Sequence, residues 1–496
     1  MILGVLCLSL LVLVVDNTVL NVAIPTLIRD LHASNSDIQW MIDAYILVFA
    51  GLLLTAGSLS DRHGRRRGLI IGLIVFGGAS LAASFSHSPG QLIATRALMG
   101  IGGAFLMPGT LSILTTIFDD SERKKAIAIW SSVLTLGAVG GPTLGGLLLA
   151  HFWWGSVFLL NVPIAALGII AALAIIPESR GPATKPDPIG ALLSIVGMTS
   201  LVWGVINAGK DGMGSPQTLG GFGAAVVMLT LFAVWERHCT HPMLPMALFG
   251  NRNFSGASLS VVLLSFAAGG VMLALTQYLQ FVLGFTPLRA GFALAPLLAA
   301  AIVFNGVGVL VDKRLGVRAA AGIGLGLLAV GFGVLATLSP TDGYGKLVVA
   351  LVVIGAGSGT AGPGLYGTLL GALPPDRAGV GSAVNDTVQQ VGQALSVAIL
   401  GSVLTAAYSA AMPHDVTGPA RHSIGEALAI AAATGDTGLA HAAREAFVSA
   451  MSIASIVGVV GGVAAVLLAV AVLRPKPKPA AEPAPVPAPE PDASRL

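Results

Sequence analysis

The chain has 496 residues, of which 55% are hydrophobic and only 10% are charged, and its formal net charge is +3. A soluble globular domain carries roughly 25% charged residues, so the composition excludes that class. Apolar stretches of about 20 residues, the length a helix needs to cross a bilayer, recur along the chain. We therefore predict an all-α polytopic membrane protein, and we expect no nucleic-acid partner.

Polar and Pro- or Gly-rich breaks divide the chain into fourteen predicted spans. They lie at 2–25, 38–60, 68–86, 91–116, 126–150, 156–177, 188–207, 220–236, 255–283, 289–311, 319–338, 346–371, 380–406 and 446–473. With a cytoplasmic N-terminus, 19 of the 26 Lys and Arg residues fall in inner loops and the tail. Six fall in outer loops, and Arg96 lies within a span. This bias predicts that both ends are cytoplasmic.

The first span contains Asp16, in the run LSLLVLVVDNTVLNVAIP at 8–25. At 1.5 Å per residue, Asp16 lies roughly 22 Å along its helix. A charged Asp at mid-membrane costs at least about 2.5–3.5 kcal/mol, so it must face a cavity, find a partner or carry a proton. We predict that Asp16 titrates and meets cationic cargo, with a purely structural or capping role as the alternative.

The second span contains Asp43, about five residues from its predicted start. Two interpretations stay open for this residue. It could line an outer vestibule, or it could lie at the membrane interface.

The loop GSLSDRHGRRRG at 57–68 joins the second and third spans. Its glycines permit a tight turn, and its acid can pair with arginines or with a helix N-terminus. We predict a conformational latch between two bundles, with a simple positive-inside anchor as the alternative. The predicted latch residues are Gly57, Asp61, Arg62, Gly64, Arg65 and Arg66.

The fifth span contains GAVGGPTLGG at 137–146. Its glycines at i+4 spacing form one small-residue stripe against which a partner helix can pack, and its proline bends the helix. A packing groove with no link to transport remains the alternative. The motif residues are Gly137, Gly141, Pro142, Gly145 and Gly146.

An internal repeat divides the chain into two halves. GIGGAFLMPG at 100–109 matches GAGSGTAGPG at 355–364, and GSLSDR at 57–62 resembles GVLVDK at 308–313. The nearly equal offsets predict two related six-helix bundles, the plan of many secondary transporters. We place the first bundle at 1–180, two inserted helices at 181–250 and the second bundle at 251–473. A disordered cytoplasmic tail follows at 474–496.

A long outer loop is predicted at 407–445, within the second bundle. It contains IGEALAIAA and GLAHAAREAF, for which we favour short surface helices over a disordered tether.

The thirteenth span begins with polar side chains at helical spacing, in AVNDTVQQVGQALS at 383–396. A polar stripe in a membrane helix faces an interior cavity. The predicted cavity residues on this helix are Asn385, Asp386, Gln389, Gln390 and Gln393. Interfacial solvation of Asp386 is the alternative, and Gln277 and Gln280 on the ninth span are weaker cavity candidates.

Four stretches of the sequence together resemble the major facilitator superfamily. The loop at 57–68 resembles the signature between its second and third helices, and 137–146 is similar to the motif of its antiporters. DNTVLNVAIP at 16–25 and IQWMIDAYIL at 38–47 resemble its 14-helix drug:proton antiporter branch. The chain departs from the family in a degenerate second copy of the loop signature. It also carries Asp43 where many relatives have an uncharged residue.

The resemblance implies roles for several residues. Arg96 resembles the buried arginine of helix four, which in the family interacts with the protonation site, and a bond to a backbone carbonyl is the alternative. Asp386 stands on the helix that bears acids for proton or cation handling in the exporters. The fifth-span groove is implied to lie between the halves and to limit proton leak.

We therefore expect a proton-driven exporter of lipophilic, cationic compounds in a bacterial inner membrane. Proton coupling is assigned to Asp16, Asp386 and Arg96, and the substrate cavity to Asp16, Asp43, Asp386 and the polar stripe. We expect a monomer in contact with membrane lipid, with protons as the coupling ion and no cofactor, metal or enzymatic activity. A dedicated exporter of one antibiotic, lipid or metabolite and a non-transporting membrane scaffold are the alternatives.

Overall fold

The computed structural model describes residues 2–118, 120–180, 187–240, 242, 246–371 and 378–473. Helices form nearly all of this part of the chain, and no strand occurs within it. A helix bonds its backbone groups internally, which lipid requires because it offers no hydrogen-bond partners. The predicted all-α class is confirmed. The predicted tail at 474–496 lies outside the described residues.

Seventeen α-helices are described along the chain. They are α1 Ile2–Asp30, α2 Asn35–His63, α3 Arg65–Ser84, α4 Pro89–Ile117, α5 Asp120–His151, α6 Ser156–Leu159, α7 Asn161–Ile175, α8 Pro188–Asp211, α9 Pro216–His238, α10 Arg252–Gln277, α11 Pro287–Ala293, α12 Ala295–Leu315, α13 Val317–Ala336, α14 Tyr344–Gly371, α15 Ala378–Ala411, α16 Ile424–Thr434 and α17 Thr437–Val472. A π-helical turn at Tyr278–Val282 continues α10.

Thirteen segments of the described chain are long and apolar enough to cross a membrane. Helix α5 also has spanning length, with 32 residues. Together they follow the fourteen predicted spans in order, with α6 and α7 forming the sixth and α11 and α12 the tenth. Large apolar side chains such as Ile170, Val226 and Leu467 are exposed, as expected where a helix contacts lipid. The chain is a multi-pass membrane protein.

Several helices begin at their own side-chain caps. The Ser34 hydroxyl accepts a hydrogen bond from the Asp37 N–H at the start of α2, and the Asp37 carboxylate accepts one from the Ser34 N–H. Ser88 and Ser215 cap α4 and α9, each followed by a proline in the first turn. Such caps satisfy N–H groups that no helical carbonyl reaches, and a proline there has none to satisfy. These caps therefore fix where α2, α4 and α9 begin.

Glycine contacts in the two halves match each other, as the predicted repeat requires. A Cβ added at Gly102 would lie 2.9 Å from the Gly72 carbonyl oxygen, so α3 and α4 touch backbone to backbone. The equivalent contact between α13 and α14 places such a Cβ at Gly357 2.6 Å from the Gly324 carbonyl oxygen. Only glycine permits this approach, and both halves use it at positions about 255 residues apart.

The inserted pair α8 and α9 packs against both halves through α8. Gly51 of α2 contacts Ile195 of α8, and a Cβ added at Gly209 of α8 would lie 2.5 Å from Ser402 Cβ of α15. Helix α9 packs mainly on α8. Helix α8 therefore lies along the junction of α2 and α15.

The two halves meet on the face opposite the loop 61–67. We call the side bearing that loop the basic face and the other side the opposite face. Near the opposite face, Gln280 Nε2 donates to the Val22 carbonyl over 2.9 Å, and Gly146 of α5 packs against Leu288 of α11. Gly291 of α11 packs against Pro142 of α5. These contacts close the opposite face.

Helix α16 covers this closed face and touches both halves. Gly425 packs against Ile28 of α1 and Phe281 of the π-helical turn. Asn35 donates to the His422 carbonyl over 3.1 Å, just before α16. One predicted surface helix is thus confirmed. The second segment, GLAHAAREAF, instead forms the first turns of α17, so the loop predicted at 407–445 extends only from 412 to 436.

Candidate functional site

A buried acid–base pair lies inside the first half. Arg96 Nη1 donates to Asp16 Oδ2 over 2.5 Å, and both side chains are 1% exposed. The residues are 80 positions apart, on α1 and α4. A charge buried this deeply is stable only with a partner and further hydrogen bonds, and the surroundings supply them.

Three neighbouring helices complete the pair. Asn161, at the start of α7, donates from Nδ2 to Asp16 Oδ1 over 3.0 Å and to Ser80 Oγ of α3 over 3.3 Å. Arg96 Nε donates to the Met41 carbonyl of α2 over 3.0 Å, and its guanidinium lies 4.4 Å from the centre of the Tyr45 ring. The pair therefore ties α1, α2, α3, α4 and α7 together.

In this conformation Asp16 does not face an open space, and its predicted place in the substrate cavity stays a prediction. Both of its oxygens accept bonds from groups of the first half, and its side chain is enclosed. A carboxylate held in this way has no free face for a cationic cargo. Arg96 bonds to both the acid and a backbone carbonyl, so the two interpretations offered for it are not exclusive.

Most of the polar stripe of α15 lies at half-buried positions. Asp386, Gln389, Gln390 and Gln393 are half-buried, while Asn385 is buried and donates to Asp386 Oδ1 over 3.3 Å. Partial exposure suits side chains that contact a water-filled space. Of the acids predicted to line a cavity, Asp386 is the one the structure leaves partly open.

Asp43 has an enclosed environment. Its side chain is fully buried, and neither oxygen has a hydrogen-bond partner among the described residues. One turn earlier, Gln39 Nε2 donates to the Val397 carbonyl of α15 over 3.4 Å. Asp43 therefore lies on the part of α2 that packs near α15, and its vestibule and interface interpretations both stay predictions.

The two glutamines of the ninth span have unequal roles. Gln277 is buried and donates to the Leu273 carbonyl of its own helix over 3.2 Å. Gln280 lies in the π-helical turn and bonds to Val22 of the other half. Gln280 thus joins the halves in this conformation, and Gln277 does not.

The loop after α2 braces the first half at the basic face. Arg65 Nε donates to Asp61 Oδ1 over 2.6 Å and Nη1 to the Ser112 carbonyl over 3.3 Å, with a further bond to Thr116. Gly64 has φ +126°, a conformation that favours glycine. Gly57 packs on Pro108 of α4, and Arg62 is exposed.

Glu178, just after α7, completes this brace. Its Oε1 accepts a bond from the Arg66 N–H over 3.0 Å at the start of α3, and its Oε2 lies 3.7 Å from Arg67 Nε. An anion at a helix N-terminus is favourable. These bonds all join helices of the first half, so a latch between bundles stays a prediction for another conformation.

The glycine motif of α5 contacts two different partners. A Cβ added at Gly137 or Gly145 would lie 2.8 Å from Val14 or Val19 of α1, and Gly141 packs against Thr18. Thr18 also donates to the Gly137 carbonyl over 3.4 Å. Pro142 and Gly146, described above, face α11 of the second half. The motif is therefore a packing groove with one side at the contact between the halves.

Comparison with known families decides the identity. The family model described as Major Facilitator Superfamily matches residues 6–397. The chain is a member of the major facilitator superfamily. It is therefore a transporter, and the sequence resemblance is confirmed.

Curated relatives of this transporter match along most of their length. It is 37% identical to the multidrug efflux pump LfrA of Mycolicibacterium smegmatis, covering 91% of each chain. It is 34% identical to the methyl viologen resistance protein SmvA of Salmonella typhimurium, covering 89% of this chain and 91% of that protein. It is 35% identical to the puromycin resistance protein pur8 of Streptomyces alboniger, covering 83% and 82%.

Solved structures of other transporters share the fold. A bacterial homologue of the human lysosomal transporter Spinster, inward-facing and unoccupied, superposes with a TM-score of 0.65 at 19% identity. The coverage is 95% of this chain and 97% of that one. The peptide transporter POT in complex with sulfate gives 0.63 at 16%, covering 95% and 94%. The predicted major facilitator fold is confirmed.

Sequence reasoning missed several residues of this transporter's polar contacts. Asn161 and Ser80 bind the acid–base pair, Glu178 binds the arginine loop, and Gln39 joins the halves. Asn161 and Glu178 each interrupt or end an apolar run, a signal that could have marked them. Their partners lie more than 80 positions away, and no local pattern indicates them.

Proposed function

We propose that this transporter is a proton-coupled antiporter that exports lipophilic, cationic compounds by alternating access. The cargo enters from the basic face into a space between the halves. A proton taken from the opposite side of the membrane replaces it there. The opposing movement of the proton then supplies the free energy of export.

The observation that carries this proposal is the placement of Asp386. This acid lies on a half-buried polar stripe of α15, in a molecule whose halves are joined near the opposite face. An acid open to a space between two halves can hold either a proton or an organic cation. Because the two occupants exclude each other, cargo binding releases the proton and protonation weakens cargo binding.

The relatives support the choice of cargo. Their names refer to multidrug efflux and to resistance against methyl viologen, an organic dication, and the match spans nearly the whole chain. Amide side chains beside Asp386 can solvate a cation without fixing its shape. A space of this kind suits several lipophilic cations rather than one.

The Asp16–Arg96 pair has a supporting role in this scheme. Because it ties together five helices of the first half, it lets that half rotate as a unit. We further propose that the basic face and both termini are cytoplasmic, that the protein resides in a bacterial inner membrane, and that it works as a monomer without a cofactor.

Export from inverted membrane vesicles tests the proposal. Ethidium serves as the lipophilic cation, and a proton gradient is imposed without ATP. We expect vesicles with the wild-type protein to accumulate ethidium and to lose it when a protonophore is added. Asp386→Asn should reduce accumulation at least tenfold, whereas Asp211→Asn, at the exposed end of α8, should not. Accumulation that survives collapse of the proton gradient would refute proton coupling.

A dedicated exporter of one antibiotic is the second candidate. Relatives at 34–35% identity include proteins named for resistance to a single compound, such as puromycin and methylenomycin A. Resistance of an efflux-deficient host to a panel of unrelated cations separates the two. Protection against one compound alone favours the dedicated exporter.

A further inference from the structure

Asp43 is a buried acid that takes no part in the Asp16–Arg96 pair or in the polar stripe of α15. The side chain of this α2 residue is fully buried, and neither carboxyl oxygen has a hydrogen-bond partner in the described chain. Burying an ionised carboxylate without a partner costs far more than burying the neutral acid. The closed arrangement therefore favours the neutral form of the Asp43 side chain over the ionised form.

Asp43 lies where the two halves touch. Gln39, one turn earlier on α2, donates to the Val397 carbonyl and packs against Gly401, both on α15. Residues four apart lie on one helix face, so Asp43 follows Gln39 along the surface that meets α15. We call this contact, formed by Gln39, Asp43, Val397 and Gly401, the α2–α15 seam.

Among the residues that the structure describes, few charged groups lie on the helices packed around α2. Arg96 of α4 and Asp16 of α1 are paired with each other. Asp386 of α15 lies about three turns nearer the basic face than Val397. On α8, Asp211 is at the exposed end beyond the seam. None of these groups bonds to Asp43, so within the described part of the chain no charged neighbour compensates its ionised form.

We propose that the α2–α15 seam closes only when Asp43 is protonated, so that Asp43, and not Asp16, takes up the proton from the outside. This rests on the proposed proton-coupled export. When the halves separate at the opposite face, α2 and α15 part and water reaches Asp43, which ionises. Binding an external proton neutralises the side chain, and the seam can then close.

The test measures seam closure directly, with no transport step. Spin labels are attached to the full-length protein at Ser36→Cys and Ala410→Cys, near the opposite-face ends of α2 and α15. The two native cysteines, Cys7 and Cys239, are replaced by serine. Double electron–electron resonance in lipid nanodiscs then gives the ratio of closed to open seams from pH 5 to pH 8.

One linked proton changes that ratio tenfold per pH unit. We expect the wild type to open in this way as the pH rises. Asp43→Asn cannot ionise and should stay closed, with a change below twofold over the whole range. Asp43→Glu keeps a titratable group and should retain the tenfold slope with its midpoint at higher pH, because glutamate is the weaker acid. If Asp43→Asn fails to fold, Asp43→Glu still tests the proposal.

The alternatives are separable. A tenfold slope that persists in Asp43→Asn, or that disappears in Asp386→Asn instead, overturns the proposal. A wild-type ratio of closed to open seams that does not change with pH also overturns the proposal. The proposal is likewise overturned if Asp43→Glu keeps the wild-type midpoint or if its ratio of closed to open seams does not depend on pH. Ethidium export without a proton gradient refutes the proposed function and not the closure mechanism, since the distance measurement involves no cargo.

Discussion

Breaking the Asp16–Arg96 pair should destabilise the first half severely. Arg96→Met leaves the Asp16 carboxylate enclosed at 1% exposure, with Asn161 as its remaining donor. Leaving an uncompensated charge in such a site costs about 3–5 kcal/mol. Asp16→Asn leaves the guanidinium unpaired and should cost a similar amount. The sequence alone suggested a titrating acid, whereas the structure predicts a loss of folded protein.

Replacing both residues should restore most of the stability. Asp16→Leu combined with Arg96→Met removes both charges and keeps an apolar volume, an exchange that is often neutral or stabilising. We therefore expect the double variant to be more stable than either single change, with a coupling free energy of at least about 2 kcal/mol.

Equilibrium unfolding in mixed micelles, followed by circular dichroism, measures these free energies. Asp211→Asn, which changes an exposed acid, is the control and should cost less than about 0.5 kcal/mol. Single variants that each cost below about 1 kcal/mol, or effects that simply add in the double variant, would show that the pair is not a closed buried unit.

Three further changes have distinct expected results. Asn161→Leu removes the donor to Asp16 Oδ1 and should cost about 1–3 kcal/mol in the same unfolding assay; an unchanged stability contradicts the bond. Glu178→Gln, at a partly exposed site, should lower the stability by about 0.5–1 kcal/mol, and a gain would speak against an anion at the α3 N-terminus. Gly141→Ala should cost about 1–3 kcal/mol because Thr18 occupies the space, while Gly140→Ala, with no atom within 4 Å, should cost nothing. Equal effects of these neighbouring changes would disprove the tight contact between α1 and α5.

Hydropathy and the repeat predicted the spans well because both reflect local constraints. Each span must form its backbone hydrogen bonds within its own helix, so its apolar residues lie in one continuous segment of the sequence. The glycine contacts Gly72–Gly102 and Gly324–Gly357 are a further example, because a motif repeated in the sequence forms the same helix contact in each half.

The site was harder to predict because its partners are distant in the chain. An acid within a membrane span can face a cavity, pair with another side chain or carry a proton. The sequence does not distinguish these three possibilities. Asp16 has a partner 80 positions away, whereas Asp43 has none among the residues that the structure describes. The difference is decided by which helices pack together, and periodicity carries no information on that.

Helix α8 has a mechanical consequence for the cycle. It touches Gly51 of α2 on one side and Ser402 of α15 on the other, so it rests on both halves at once. In the proposed cycle the two halves separate, so α8 can move with only one of them and must lose or shift its contact with the other. Each proposed turnover would therefore require the inserted hairpin to remake its contacts with one of the two halves.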